Sequence, residues 1–199
     1  MMRRYAPDVI MGNETDRKEE TMAKEETMAQ VTRPTAEEVK AMLGLEPHPT
    51  CGFVAETYRS PLKIPADALP KVYEGNRPYG SALYFLVDPD AQIVMHRIRS
   101  DQLYHHYFGD PLEVLMLYPD GTGAVEVVGD DLAAGERPQL FVPGDTFHTS
   151  RLASGGTGYA LLASTEWPGV EPPDVEHGDI EELVAAYPDF REQIRRFTG

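Results

Sequence analysis

Between residues 53 and 166, short apolar runs alternate with polar ones and are punctuated by glycine, proline and aspartate. Runs rich in Val, Ile, Leu, Tyr and Phe near 52–58, 81–87, 91–99, 102–108, 111–118, 123–128, 138–143, 146–152 and 157–166 predict nine strands. Turn signals recurring at roughly 8–12-residue spacing predict a sandwich or barrel, and no βαβ rhythm supports a parallel sheet. In Tyr118-Pro-Asp-Gly-Thr122 the proline fixes φ and Gly121 accepts a positive one, which makes a turn. Gly155-Gly156 reads as a hairpin tip.

Helical text flanks the strands. Thr35 is an N-cap, and Glu38 three residues on completes a capping box. Val39, Met42 and Leu43 follow at helical spacing, and Gly44 ends the run. After Trp167-Pro168 comes a Pro- and acid-rich connector, and then Asp179 caps a helix over 180–186. Pro188-Asp189 opens a further helix through Phe197. The expectation is a mainly β protein with short N- and C-terminal helices. It is a single domain over 34–199 with a C-terminal helical segment at 179–198.

Residues 1–33 read as a disordered leader. They repeat Lys-Glu-Glu-Thr-Met-Ala at 18–23 and 24–29 and offer almost nothing to bury. Methionines at 1, 2, 11, 22 and 28 leave the true start of translation open. Cys51 is the only cysteine, so no intramolecular disulfide can form. No stretch approaches the ~18 consecutive apolar residues of a membrane span. The N-terminus lacks the apolar core of a secretory signal, so a cytoplasmic location is expected. The formal net charge is −15, and all but one unit of it falls after residue 33. Such a surface repels phosphate backbones and anionic lipid, which argues against nucleic-acid and membrane partners.

Four of the six histidines fall in the β region: His96, His105, His106 and His148. Period-two alternation puts His96 on the face of Val94 and Ile98, and His148 on the face of Thr146, Ser150 and Leu152. Gln102, Tyr104, His106 and Phe108 share one face, and Leu103, His105 and Tyr107 share the other. A slip of one residue would turn His105 inward in place of His106, and both phases stay open. An imidazole on an apolar face needs a metal, a ligand or a buried hydrogen bond. Tyr104 offers an aromatic wall with a hydroxyl, suited to lining a pocket or to acid–base work. Tyr58 and Arg59 are candidate ligand contacts. Arg59 would fork a carboxylate or phosphate, or else form a salt bridge at the surface or an interface. There is no phosphate-binding lysine loop, no GxGxxG after a strand and no Gly-x-Ser-x-Gly elbow, so no nucleotide cofactor is expected.

Pro143-Gly-Asp-Thr-Phe-His148 resembles the second cupin motif, although the residue between Pro and Gly is missing. His96, Gln102 and Gly109 resemble the first. A closer resemblance, to the DUF985 (cupin_5) family, rests on Leu43-Gly-Leu-Glu-Pro-His-Pro49, Glu56-Thr-Tyr-Arg-Ser60, Ser81-Ala-Leu-Tyr-Phe-Leu86 and Gly109-Asp-Pro-Leu-Glu113. Gly135-Glu-Arg-Pro-Gln139, Val142-Pro-Gly144 and Gly178-Asp-x-Glu-Glu-Leu183 extend it. The resemblance implies a double-stranded β-helix (jelly-roll) barrel, usually a homodimer, among relatives that include sugar epimerases and storage globulins. It favours a histidine at 105. It departs at Gln102, where cupins usually place a glutamate ligand, and at Ile98, where the second histidine of the first motif would stand.

His96, His106 and His148, with Gln102 as a fourth ligand, would suit Zn, Fe, Ni, Mn or Cu. His106 lies two pleats beyond Gln102, about 6–7 Å away by strand rise. The expected function is an isomerase, epimerase or lyase acting on a small polar metabolite. Its chemistry would be metal-dependent or carried by an acid–base pair of His96 and Tyr104. The competing expectation is a non-catalytic small-ligand-binding or storage-like dimer, which Gln102 favours because losing a carboxylate weakens metal affinity.

Overall fold

The structure, a computed structural model, describes residues 33–153 and 156–199. The leader, apart from Arg33, and Gly155 of the hairpin tip lie outside these residues. Helix α1 (Ala36–Leu43) is followed by β1 (Glu46–His48), β2 (Gly52–Arg59), β3 (Lys63–Ile64), β4 (Arg77–Pro78) and β5 (Ser81–Val87). Next come β6 (Ile93–Ile98), β7 (Asp101–Gly109), β8 (Leu112–Leu117), β9 (Gly123–Val128), β10 (Gln139–Val142), β11 (Phe147–Leu152) and β12 (Ala160–Trp167). Strand β13 (Val175–His177) and helices α2 (Ile180–Ala186) and α3 (Arg191–Thr198) complete the chain. Thr35–Gly199 form one compact unit.

The strands make a six-stranded sheet, β1-β2-β5-β12-β7-β10, and a five-stranded sheet, β13-β6-β11-β8-β9, with β3-β4 as a small separate ribbon. All pairings between these strands are antiparallel. Their inner faces share one core that includes Phe85, Val87, Ile93, Tyr104, Leu112, Val114, Met116 and Leu162. This is the mainly β architecture that the alternation predicts, in the jelly-roll form that the resemblance implies.

Apolar residues on the outer faces mark where helices cover the sheets. Strand β8 reads Leu-Glu-Val-Leu-Met-Leu because both of its faces are buried. Leu112, Val114 and Met116 point into the barrel, whereas Leu115 and Leu117 pack under α2 and α3 against Leu183, Ile194 and Phe197. In β5, Phe85 and Val87 face inward, and Leu86 packs against Val39 of α1. The capping box forms as expected: the Glu38 amide donates to Thr35 Oγ1 at 3.3 Å, and the Thr35 amide to Glu38 Oε2 at 2.8 Å. Gly44 closes α1 at φ 63°, and Asp179 caps α2 by accepting from the Glu182 amide at 3.0 Å.

The nine expected strands all have counterparts. The short strands β1, β3, β4 and β13 do not appear in the sequence reading. Strand β13 follows Pro172-Pro173 within the expected connector and pairs with β6, which draws residues 170–175 against the barrel.

Candidate functional site: a cavity in the barrel

Antiparallel register sets inward side chains in rows across β5, β12 and β7. The first row is Ser81, Glu166 and Gln102, the second Leu83, Ser164 and Tyr104, and the third Phe85, Leu162 and His106. The first row is polar and the third is mostly apolar. A cavity of about 430 Å³ opens onto the first two rows and onto Phe85 of the third, within the usual range of small-molecule sites. Val54, Glu56 and Arg59 of β2, Ile93, His96 and Ile98 of β6, and residues from 48–51 and 170–175 close it.

Two β-bulges aim the walls. In β2, Glu56 lies opposite Leu83 and Tyr58 opposite Ala82, so Thr57 is an extra residue and the alternation changes phase. Arg59 therefore reaches the cavity, and Tyr58 points away, 54% exposed. Tyr58 is not the cavity contact that the sequence predicts. In β6, His96 lies opposite His148 but Ile93 opposite Ser150, so Ile93 and His96 both face inward. Val94, expected on the face of His96, is 47% exposed.

His96 is 3% exposed and lines the cavity. Its Nδ1 lies 2.8 Å from the carbonyl oxygen of Val94. A carbonyl only accepts, so the neutral ring carries its proton on Nδ1 and keeps a lone pair on Nε2. Burial, reinforced by the neighbouring His148 ring, holds its pKa well below the usual histidine range. His148 is arranged alike: it is fully buried, and its Nδ1 lies 3.1 Å from the Thr146 carbonyl oxygen. Burial pushes its pKa down to about 4. Its ring centroid stands 4.3 Å from that of His96 and 6.0 Å from that of Tyr104, and its Nε2 has no partner among the described residues.

Tyr104 is 3% exposed, packs on Phe85 at 5.0 Å between centroids, and lines the cavity. Burial raises its pKa well above the usual tyrosine value, so its hydroxyl remains a donor. Gln102 is 4% exposed and presents its amide to the same space.

His106 and His105 resolve the question of strand phase. His106 is buried on the face of Gln102, with Nε2 3.2 Å from the Asp110 carbonyl oxygen. His105 points outward, between Thr165 Oγ1 at 3.1 Å and Gln139 Nε2 at 2.9 Å. His106 nonetheless does not line the cavity, although Phe85 of the same row does. Four residues of strand rise separate it from Gln102, about 13 Å rather than the expected 6–7 Å. The four-residue metal set is therefore not assembled: His96 and Gln102 reach the cavity, His148 packs behind His96, and His106 is remote. No three His, Cys, Asp or Glu side chains among the described residues are placed to share one cation.

The sequence reading missed Glu166. This carboxyl is 4% exposed, lines the cavity, and accepts a hydrogen bond from Ser81 Oγ at 2.7 Å. Burial raises its pKa. Its signal was present, since period-two alternation from Leu162 through Ser164 carries the inward face to residue 166. His48 was also missed. It lines the cavity, with Nδ1 accepting from the amides of Thr50 and Cys51, both at 3.2 Å. Cys51 borders the cavity too, but burial pushes its thiol up to about 12, far from a nucleophilic thiolate.

Residues 37–178 match the model of the Cupin superfamily (DUF985) family. A curated protein of Saccharomyces cerevisiae, YML079W, is 29% identical over 110 residues, which cover 53% of this chain and 55% of the yeast protein. The chain thus spans about half the length of that relative. Two solved structures are similar over nearly their whole lengths. A hypothetical protein from Leishmania major superimposes with a TM-score of 0.73 at 28% identity, covering 82% of this chain and 98% of that one. Protein SO0799 from Shewanella oneidensis gives 0.72 at 28% identity, covering 84% and 99%.

Proposed function

We propose a function from the premise that this chain belongs to the DUF985 family of the cupin superfamily: its barrel cavity takes a small molecule and moves a proton on it. One observation carries this reading. His96 Nε2, the Tyr104 hydroxyl and the Gln102 amide border one cavity, and none hydrogen-bonds to another described side chain or backbone group. Buried polar groups are ordinarily satisfied, so three uncommitted ones around one space describe a site awaiting a ligand.

Their roles follow from their protonation. His96 Nε2 is a base with a free lone pair, and Tyr104 is a neutral donor. With a carbonyl compound bound, His96 takes the proton from the adjacent carbon while Tyr104 hydrogen-bonds the oxygen that gains charge. Return of the proton to the other face gives an epimer, and return to a neighbouring carbon gives an isomer. Expulsion of a β-substituent instead makes the enzyme a lyase. No step is routed through a metal, since His106 stands apart from His96 and Gln102 and the expected four-residue set is not brought together.

A second reading, non-catalytic binding, is favoured by the apolar wall of Val54, Leu83, Phe85, Ile93 and Ile98. The outward face of the six-stranded sheet exposes Tyr107 and Phe141, which supports association with a second copy.

Proton transfer leaves an isotopic trace that can be read whatever the substrate. Incubated with a cell metabolite extract in heavy water, the wild-type protein is expected to place one deuterium in a single compound class, read by mass spectrometry. His96→Gln and Tyr104→Phe should each slow that incorporation about a hundredfold or more. No incorporation above a protein-free control favours the binding reading, and equal incorporation by both variants contradicts the assigned roles.

A further inference from the structure

The walls of the cavity carry more information about the ligand than its uncommitted groups alone. Arg59 is the only Lys or Arg among the lining residues, against the carboxyls of Glu56, Glu166 and Glu171. Of the two roles that the sequence leaves open to it, forking a carboxylate or phosphate or forming a salt bridge, it fills the second. Nε and Nη2 donate to Glu56 Oε2 at 2.9 and 2.6 Å. Nη1 donates to the Val170 carbonyl at 3.1 Å and to Glu171 Oε1 at 3.4 Å. Four of its five N–H groups are engaged in this way, so an incoming anion meets the carboxylates of Glu56 and Glu171 beside the one that remains. The imidazoles offer no cation either. His96 is held neutral by burial, and His48 Nδ1 is an acceptor for two backbone amides.

We infer that the cavity selects ligands without negative charge, with an apolar body against Phe85, Leu83 and Ile93 and one carbonyl or hydroxyl directed at Tyr104, Gln102 and Glu166. The inference rests on the reading that the cavity is the ligand site and adds the class of ligand it admits. Glu166 is the residue that sets the selection. As a carboxylate it repels a buried anion, and as an acid it donates to a neutral acceptor atom. Ser81 fixes it in either state. Rejection of carboxylates and phosphates is thus built into the same row of side chains that recognises the polar end of the ligand.

Three compounds of one shape separate the possibilities: naphthylmethanol, naphthoate and naphthylmethylamine, substituted at the same ring position and titrated calorimetrically into the full chain at neutral pH. The alcohol and the amine are each expected to bind at least about tenfold more tightly than naphthoate, because a like charge inside the cavity costs more than 1.4 kcal/mol. Glu166→Gln should raise the ratio of naphthoate to alcohol affinity by about fivefold or more. Glu56→Gln, at a half-exposed position where folding is not at stake, frees part of Arg59 and should move the ratio the same way. Naphthoate binding as tightly as the alcohol, or a ratio unmoved in both variants, overturns the charge rule while leaving the cavity as the binding site. If none of the three binds, the cavity reading itself falls, and this inference falls with it.

Discussion

Replacing Arg77 with methionine is expected to cost about 3–5 kcal/mol of stability, the usual penalty for leaving one member of a buried ion pair uncompensated. Arg77 and Asp174 are each 2% exposed. They meet through two parallel bonds, Nε to Oδ2 and Nη2 to Oδ1, both 2.7 Å. The remaining nitrogen donates to the carbonyls of Glu74, Gly75 and Asn76 at 2.8, 3.2 and 3.1 Å. Asp174 Oδ2 also accepts from the Glu171 amide at 3.0 Å, so the pair anchors the segment that closes the cavity mouth. At roughly 2–4 °C per kcal/mol for a domain of this size, thermal unfolding of Arg77→Met should fall by about 6–20 °C. Asp174→Asn should behave similarly. The double variant Arg77→Met/Asp174→Leu should recover part of the loss, because it removes both charges from the interior. Single variants that unfold within about 3 °C of wild type contradict a structural role for the pair.

The paired imidazoles give the second large effect, an acid sensitivity located at His148. Its folded-state pKa, about 4, lies below the ordinary value of 6.5. Between those two values the unfolded chain binds the proton and the folded chain does not. Stability is therefore full above pH 6.5 and declines as the pH falls toward 4. At about 1.4 kcal/mol per unit, His148 contributes a loss of about 3 kcal/mol across that window. His96, displaced in the same direction, adds to it. Carboxylates titrate in the same range, so the informative quantity is a difference between proteins. Guanidinium unfolding at pH 7 and pH 4.5 should show wild type losing about 2–3 kcal/mol more than His148→Leu. Parallel losses in the two proteins would show that His148 is protonated freely in the folded state.

Local patterns recovered most of the architecture because the relevant physics is local. Thr35 and Glu38 are three residues apart, and the apolar run of β8 records burial on both faces within six residues. The candidate site was only partly legible. His96, Gln102 and Tyr104 follow from alternation within one strand each. Val94 was misplaced because a β-bulge adds one residue without any composition signal of its own, and of the neighbouring candidates Tyr58 and Arg59 the bulge in β2 turns only Arg59 inward. His106 was misplaced by distance rather than phase: it faces inward, but at the wrong height in the barrel. Glu166 escaped attention because a lone acid at a strand end reads as a solvated terminus. The Arg77–Asp174 pair spans 97 residues, a separation that no periodicity within a single element can reveal.

The central claim is that the cavity bordered by His96, Gln102, Tyr104 and Glu166 is where this protein meets its ligand. A crystal structure of the full chain soaked with naphthylmethanol tests it most directly. The account predicts the ring system against Phe85 and Leu83, with the hydroxyl within hydrogen-bonding distance of Tyr104, Gln102 or Glu166. A cavity filled only by water, with the probe bound elsewhere on the protein, would contradict it.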